Sequence, residues 1–496
     1  MFKLLTGAAL VGLAAATQGT SAAQQGRLPG LSTRSIVMAS PSRPSTYGPR
    51  HIQLGNGTSA FINTVTSASP ALPGLIPGRG GLVLIMSIFV EETQAEEPFS
   101  IYIPPTPVGV ERPMLVAFHG FNVSHLDIWA NTSFISECQA RDWILIAPYS
   151  RNLAPTGPGS SQISFGSAQS QLHVKAVIDY VRENFSVDRD RIYGVGFSMG
   201  GGAVMSYAAR HRDPERGAFA AVVNHTGTVS LRHTYDNVSL NLQSLMRRIF
   251  NGAPAFTPFE YARVSSIDLD SFGNLVPGSR HMATNLAGVP VRTYYGIGDS
   301  EQYLVDQSIA LDSFMSGISS NFELIALPAN CTAQQQGHCW NTIDETEVCD
   351  WLAQQSLPAP GPVGQVVADR NARWGNLRVE PTSMGDFASL DYSVSTSQGS
   401  IRLLGTVNVD EVELDLADVG LSASAPFSLR CGSADSTGDR ILVNGLSAPP
   451  QDVLRNGISL GQDCQGGGSA WCFDATTGTL RIEETSSLSS LWSIVP

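Results

Sequence analysis

Apolar and polar positions along this chain follow one pattern up to about residue 355 and a different one after it. From Gly81 onward, apolar runs short enough to be buried strands alternate with stretches where apolar residues recur every three or four positions. Leu82–Val90 and Phe99–Ile103 read as strands, the second stopped by Pro104-Pro105. Met114–Phe118 and Trp143–Ala147 read as buried strands, with helical spacing over Ile128–Arg141 between them. Gln169–Phe185 places Val174, Val177, Ile178, Val181 and Phe185 on one side of a helix. An apolar, β-prone run from Arg191 leads into a helix over Gly201–Arg210. Strands are predicted at Phe219–Val223, Val291–Tyr295 and Phe322–Leu327, and a closing helix over Asp344–Gln355. Strands alternating with helices imply a mainly parallel sheet covered on both faces.

Leu357-Pro-Ala-Pro-Gly-Pro-Val-Gly364 is a linker by composition. Beyond it the runs shorten and alternate: Leu377-Arg-Val-Glu, Ile401-Arg-Leu-Leu, Val412-Glu-Leu-Asp-Leu, Phe427-Ser-Leu-Arg, Arg440-Ile-Leu-Val, Thr479-Leu-Arg-Ile. Turn residues separate them, which predicts an all-β sandwich over 366–496. The expected organisation is 1–23 leader, 24–75 Ser/Pro/Gly-rich segment, 76–356 α/β unit, 357–365 linker and 366–496 β unit. Residues 24–75 read either as a poorly ordered lead-in or as a wrapping strand. Asn224–Leu286 is long for a connection and carries Phe250, Phe256, Phe259 and Tyr261. Two readings stand for it: a cap over the carboxyl edge of the sheet, or an insertion packed on the flank.

The first 23 residues have Lys3, an apolar run Ala8–Ala16 and small residues Thr20-Ser-Ala-Ala23, the layout of a secretory signal. That run is too short to span a bilayer, and so is every later apolar stretch; a retained N-terminal anchor is the alternative. Seven cysteines fit an exported protein: Cys138, then Cys331, Cys339 and Cys349, then Cys431, Cys464 and Cys472. The two crowded groups predict up to one disulfide each, with Cys138 the candidate for a lone thiol. Their spacing matches no metal site. A formal charge of −13 with 30 Lys+Arg and no basic run argues against nucleic acid. N-x-[ST] sequons occur at Asn56, Asn122, Asn131, Asn184, Asn224, Asn237 and Asn330.

Gly196-Phe-Ser-Met-Gly200 sits between the β-prone run and the helix, the strand–sharp turn–helix of a nucleophile elbow. Such a turn strains the central residue and needs small residues two positions either side. Gly457-Ile-Ser-Leu-Gly461 repeats the spelling without the context, since no strand enters it and no helix leaves it. A serine hydroxyl needs an imidazole to take its proton, and the imidazole needs a carboxylate to hold its tautomer. Chain order Ser, Asp, His at successive strand ends supplies Ser198, Asp299 in the turn Gly296-Ile-Gly-Asp299, and His338 behind Gly337. Asp306 and Asp312 fall inside the following helical stretch. The second oxyanion amide is assigned to Phe121, after His119-Gly120, paired with the Met199 amide. His119 is read as structural rather than as a base; the glycine after it suits a close approach of backbone to substrate. His225 and His233 are pocket-lining or surface residues. No metal or organic cofactor is required by this chemistry.

Together, His119-Gly120, Arg191-Ile-Tyr-Gly-Val-Gly-Phe-Ser-Met-Gly-Gly, Phe219-Ala-Ala-Val-Val and Gly337-His-Cys-Trp resemble the secreted esterases that include poly(3-hydroxybutyrate) depolymerases, feruloyl esterases and acetylxylan esterases. The resemblance covers roughly 80–356, and Gly-His-x-Trp is its most discriminating part. It implies the α/β-hydrolase fold, Ser198 as nucleophile, Asp299 as acid and His338 as base, with Trp340 as an aromatic wall near the substrate, a core tryptophan being the alternative. His119 is placed with Trp340 among the residues expected beside the substrate. Met199 stands where many depolymerase-like members have Asn. The expectation is a secreted serine esterase acting on polyester or plant-polysaccharide acyl esters. Its alternatives are a peptidase of the same fold and a hydrolase-like adhesion protein. For the β unit two roles are open: holding an insoluble polymer through Trp374, Trp471 and Trp492, or a purely structural one in which those rings fill a core.

Overall fold

The apolar runs pair edge to edge into one sheet in a computed structural model of the chain. It describes residues 36–38, 51–53, 59–68, 81–105, 109–153, 162–435, 439–465, 468–485 and 489–496. The expected leader at 1–23 lies outside these residues. Three N-terminal strands, β1 (Ile36–Met38), β2 (His51–Gln53) and β3 (Ser59–Ala68), precede β4 (Leu82–Val90), β5 (Ala95–Ile103), β6 (Arg112–Phe118) and β7 (Ile144–Pro148). Then follow β8 (Val187–Phe197), β9 (Ala221–His225), β10 (Val291–Ile297) and β11 (Phe322–Pro328). Their order across the sheet is β1-β3-β4-β5-β7-β6-β8-β9-β10-β11, with β2 on β3. β5 runs antiparallel to both neighbours, and every pairing from β7 to β11 is parallel. β3 pairs antiparallel with β4, so part of the 24–75 segment is the wrapping strand of the two readings.

Both faces of the middle strands β6, β7 and β9 are buried, as their continuous apolar runs require. Along β6, Met114, Val116 and Phe118 join one core cluster while Leu115 and Ala117 join the other. Helices α1 (Asp127–Asn131) and α2 (Phe134–Ala140) follow β6, then α3 (Ala168–Asn184) and α4 (Met199–Arg210). α3 starts where the Ser167 side chain accepts the Ser170 amide. The single helix expected over Ile128–Arg141 is two, because Thr132 is extended and its hydroxyl donates to the Ile128 carbonyl in place of a helical amide. β9 lies two residues later than expected, which makes Asn224 and His225 strand-end residues. Asn224 is wholly buried with its amide on Thr293, so that sequon is inaccessible.

The long segment after β9 folds as α5 (Leu231–Asn237), α6 (Leu240–Ile249) and α7 (Pro258–Ala262), followed by a 3-10 turn at Met282–Leu286. α8 (Gln302–Met315) and α9 (Glu345–Leu352) complete the unit. No helix among the described residues is long and apolar enough to cross a membrane. Disulfides join Cys331 to Cys339 and Cys464 to Cys472, leaving Cys138, Cys349 and Cys431 as buried thiols.

Residues after 362 form a seven-stranded and a six-stranded sheet. Leu390, Leu403, Leu429 and Ile494 of one and Val379, Val412, Ile441 and Ile482 of the other share a core. The first strand, β12 (Val363–Ala368), begins inside the expected linker. Trp374, Trp471 and Trp492 are all buried, the core-filling alternative, with no ring face open for stacking on a sugar.

β12 also joins the two units. Val366, Val367 and Ala368 belong to the same apolar cluster as Met205 and Ala209 of α4. The Asn285 amide donates to the carbonyls of Ala209 and Val367 and accepts the Val367 amide. Asp369, wholly buried, accepts from Arg210 at 2.6 and 3.1 Å, from Arg263 at 2.9 Å and from Arg370 at 3.0 Å. Burial alone would raise its carboxyl, but the Arg210, Arg370 and Arg263 guanidiniums hold it well below the usual carboxylate range.

Removing one partner of a buried ionic cluster strands the others, so Asp369→Ala should lose on the order of 3 kcal/mol in urea unfolding. Because the folded pKa lies below the unfolded one, the stabilisation is present above about pH 4 and fades as pH falls further. The stability gap between wild type and Asp369→Asn should therefore hold at neutral pH and narrow in acid.

Candidate active site

Three loops leave the carboxyl edge of the parallel strands next to one another, after β8, β10 and β11. The first is a turn of one residue. Ser198 has φ 57° and ψ −120°, a conformation an L residue adopts only when held there. Its amide donates to the His225 carbonyl at 2.9 Å, and its own carbonyl accepts from Gly202 and Thr228 at 3.2 Å. A Cβ on Gly196 would lie 2.1 Å from the Gly200 oxygen, and one on Gly200 would lie 2.3 Å from the Phe118 oxygen. The turn closes only because both positions lack a side chain. α4 begins at Met199, two residues earlier than the sequence pattern suggests, so its amino end faces the Ser198 hydroxyl.

The second loop opens with Gly298 at φ 83° and turns Asp299 back, its amide bonded to the Gly296 carbonyl. The Asp299 side chain is buried; one oxygen accepts the Glu301 amide at 2.9 Å. The other lies 2.9 Å from His338 Nδ1. On the third loop, a 3-10 turn at Ala333–Gln335 carries Thr332 as a capping box, and the His338 amide bonds to the Gln335 carbonyl. Cys339 immediately follows and is tied to Cys331, so the histidine sits at the end of a closed loop. Gly337 meets Gly298 so closely that a Cβ would fall 2.6 Å from the Gly298 oxygen, and Ser300 donates to Gln336 across the same contact.

His338 Nε2 lies 2.9 Å from Ser198 Oγ. Hydroxyl, imidazole and carboxylate, 140 and 39 residues apart along the chain, thus form one hydrogen-bonded row. With Nδ1–H donating to Asp299, Nε2 is left as the acceptor for the Ser198 proton, an arrangement suited to general-base activation of the hydroxyl.

Aromatic rings support the row. Phe197 lies 4.6 Å from the His338 ring, 4.8 Å from His225 and 5.2 Å from Trp340, centroid to centroid. Trp340 is buried but borders the cavity, and its indole donates to Asp127 at 3.1 Å. His225 stands behind these rings; burial, with the His338 charge adding to it, pushes its pKa down to about 3, so it stays neutral. His233 is buried against Gln307. Neither His225 nor His233 borders the cavity.

His119 does not border it either. Its ring is buried, with Nδ1 2.9 Å from the Gly120 carbonyl and Nε2 2.8 Å from the Tyr149 carbonyl. The residues after Tyr149 are held in turn by Glu97, whose carboxylate accepts the Ser150 and Arg151 amides and lies 3.2 Å from His173. The imidazole expected beside substrate is a prop beneath the 119–121 loop. Phe121 and Met199 do border the cavity with Ser198, and neither N–H meets a backbone acceptor among the described residues. The decoy Ser459 lies in a two-residue strand and donates to Asp452.

The row opens into a cavity of about 880 Å3. One wall is apolar: Phe165, Met199, Val238 and Leu242 share a cluster, and Phe121 lies 6.2 Å from Phe165. The other is polar, with Asp127, Asn131, Ser133, Asn341 and Glu345, while Glu301 and Tyr303 stand beside the carboxylate loop. Val238 and Leu242 come from the long insertion, while Phe259 packs on Phe387 of the β unit. The insertion thus divides between the two readings, one end at the cavity and the other on the flank. Sequence reasoning missed most of these wall residues.

Residues 113–258 match the alpha/beta hydrolase fold family. The chain has the α/β-hydrolase fold, followed by a unit of several β-sheets. No curated protein matches it. Solved structures similar to it include an S-formylglutathione hydrolase from Agrobacterium tumefaciens, 15% identical, covering 57% of this chain and 98% of its own, with a TM-score of 0.40. An acetyl xylan esterase from Paenibacillus sp. R4 is 12% identical, covers 61% and 89%, and has a TM-score of 0.40. An esterase from the hyperthermophilic archaeon Pyrobaculum calidifontis is 16% identical, covers 54% and 84%, and has a TM-score of 0.37.

Closing so short a loop removes roughly 2.5 kcal/mol of chain freedom. Joint replacement of Cys331 and Cys339 by Ser should speed amide hydrogen exchange at His338 and Ser300 at least about tenfold, with α4 unchanged. Equal protection in both proteins would show that the disulfide does not hold the histidine loop.

Proposed function

We propose that the protein is a secreted serine esterase that hydrolyses carboxylic esters through an acyl-enzyme. Ser198 Oγ attacks the ester carbonyl carbon as His338 Nε2 accepts its proton. The C=O electron pair moves onto oxygen, where the Phe121 and Met199 amides receive the charge. The intermediate collapses, the C–O bond to the alcohol breaks, and His338 returns the proton to the departing oxygen. Water, deprotonated by the same imidazole, then attacks the acyl carbon; the bond from that carbon to Ser198 Oγ breaks, Oγ takes the proton back from His338, and the acid leaves. Asp299 keeps Nδ1 protonated and stabilises the imidazolium throughout. Every step uses this chain's own groups.

The observation that carries this reading is the row at 2.9 and 2.9 Å ending in a cavity. A strained serine with φ 57° adds to it, since a fold retains such a conformation where something depends on it. Secretion is favoured by the leader-like residues 1–23 and by two disulfides. The cavity has room for an acyl group of several carbons or a phenyl ring, in keeping with polyhydroxybutyrate, feruloyl or acetyl esters as substrates.

Ser198→Ala should abolish p-nitrophenyl butyrate turnover and fluorophosphonate labelling, with circular dichroism and unfolding midpoint retained. Asp299→Asn should keep the fold and lower kcat by roughly 10^3 to 10^4, because the imidazole then takes the wrong tautomer. Residual turnover near wild type in the serine variant would end the proposal. Comparison of methyl ferulate, acetylated xylan and hydroxybutyrate oligomers would rank the acyl groups.

A further inference from the structure

We propose that the cleft discriminates substrates by charge, rejecting esters that carry a carboxylate and accepting neutral or cationic ones. The inference rests on the esterase reading and deepens it. Among the described residues three carboxylates border the cavity, on Asp127, Glu301 and Glu345, and no Lys or Arg does. Asp127 and Glu301 are linked to the reacting groups through chains of contacts. Asp127 accepts from the Trp340 indole, whose ring packs on Phe197 next to Ser198. The Glu301 amide binds the same Asp299 carboxylate that holds His338. Glu345 is fixed against Ser133 on the cavity wall, and burial raises its carboxyl.

Three arginines on or next to the helices around the cavity have partners of their own. Arg141 pairs with Glu137 and Asp350. Arg232 pairs with Asp268, and Arg247 donates to the Tyr235 hydroxyl. None of the three borders the cavity. An anionic substrate would therefore place its charge among like charges, in a concave site where low-dielectric walls focus the field. The net charge of −13 reinforces the same sign at long range. A neutral ester avoids this cost, and a quaternary ammonium group would also gain from the aromatic faces of Phe121 and Phe165.

The test uses matched esters that differ only in charge, on either side of the scissile bond. On the acyl side, p-nitrophenyl butyrate is compared with the p-nitrophenyl monoester of succinate; on the alcohol side, 3,3-dimethylbutyl butyrate with butyrylcholine. We expect kcat/KM for the succinate monoester at least tenfold below the butyrate at low salt, narrowing as ionic strength rises. Butyrylcholine should match or exceed its neutral isostere. Asp127→Asn, Glu301→Gln and Glu345→Gln, singly and together, should raise the succinate-to-butyrate ratio, at least fivefold for the triple variant. Single variants and the salt series keep the test decisive should the triple variant fail to fold.

A wild-type ratio near one, or a low ratio unchanged by both salt and substitution, would overturn this inference while leaving the Ser198 chemistry intact. Absence of Ser198-dependent turnover for every ester, neutral ones included, would instead overturn the esterase reading itself.

Discussion

A single backbone torsion angle sits beneath the rest of this structure: the positive φ at Ser198. A side-chain-bearing residue stays there only if its surroundings overdetermine it. The His225 carbonyl holds the amide, Gly202 and Thr228 hold the carbonyl, and two glycines give up their side chains so that α4 can leave immediately. The strain lifts the hydroxyl out of the sheet, and only then can an imidazole from a loop 140 residues later reach it. Parallel strands make that meeting possible, because every βα connection of the sheet starts from the same edge.

The sequence disclosed the parts that obey local rules. The strand–turn–helix around Ser198, the glycine-opened turn at Asp299 and the histidine behind Gly337 all have short-range signatures, and the two crowded cysteine groups each hold one disulfide. Apolar periodicity placed most of the strands it predicted within two residues. It failed where a side chain competes with the backbone, as at Thr132, and at β9, where pairing with β8 and β10 carries the strand past its apolar run to His225. Residues whose role comes from long-range packing left no trace. His119 belongs to a motif, yet it does not border the cavity, its ring nitrogens lying against the Gly120 and Tyr149 carbonyls instead. Ser150 and Arg151, just after Tyr149, are held in turn by Glu97, which no spacing rule connects to residue 119.

The C-terminal sheets show the same gap between composition and contact. A Pro/Gly-rich stretch between two patterns reads as a linker, and tryptophans in a trailing β unit leave sugar binding and core filling both open. Packing around β12 narrows both. The linker ends early, the rings turn inward, and one apolar cluster runs from α4 into the second unit. A buried aspartate shared by arginines from α4, the insertion and β12's own end makes the junction polar, hydrogen-bonded and specific in register.

That junction limits how such a protein can be recombined. A module on a loose leash can be cut out, transplanted or replaced by another of similar size with little regard for its host. Here the seam runs through three separate segments of the host, at Arg210, Arg263 and Asn285, so a graft would have to carry its matching sockets with it. The two halves are heritable as one piece, and variation in either is constrained by the other side of the seam.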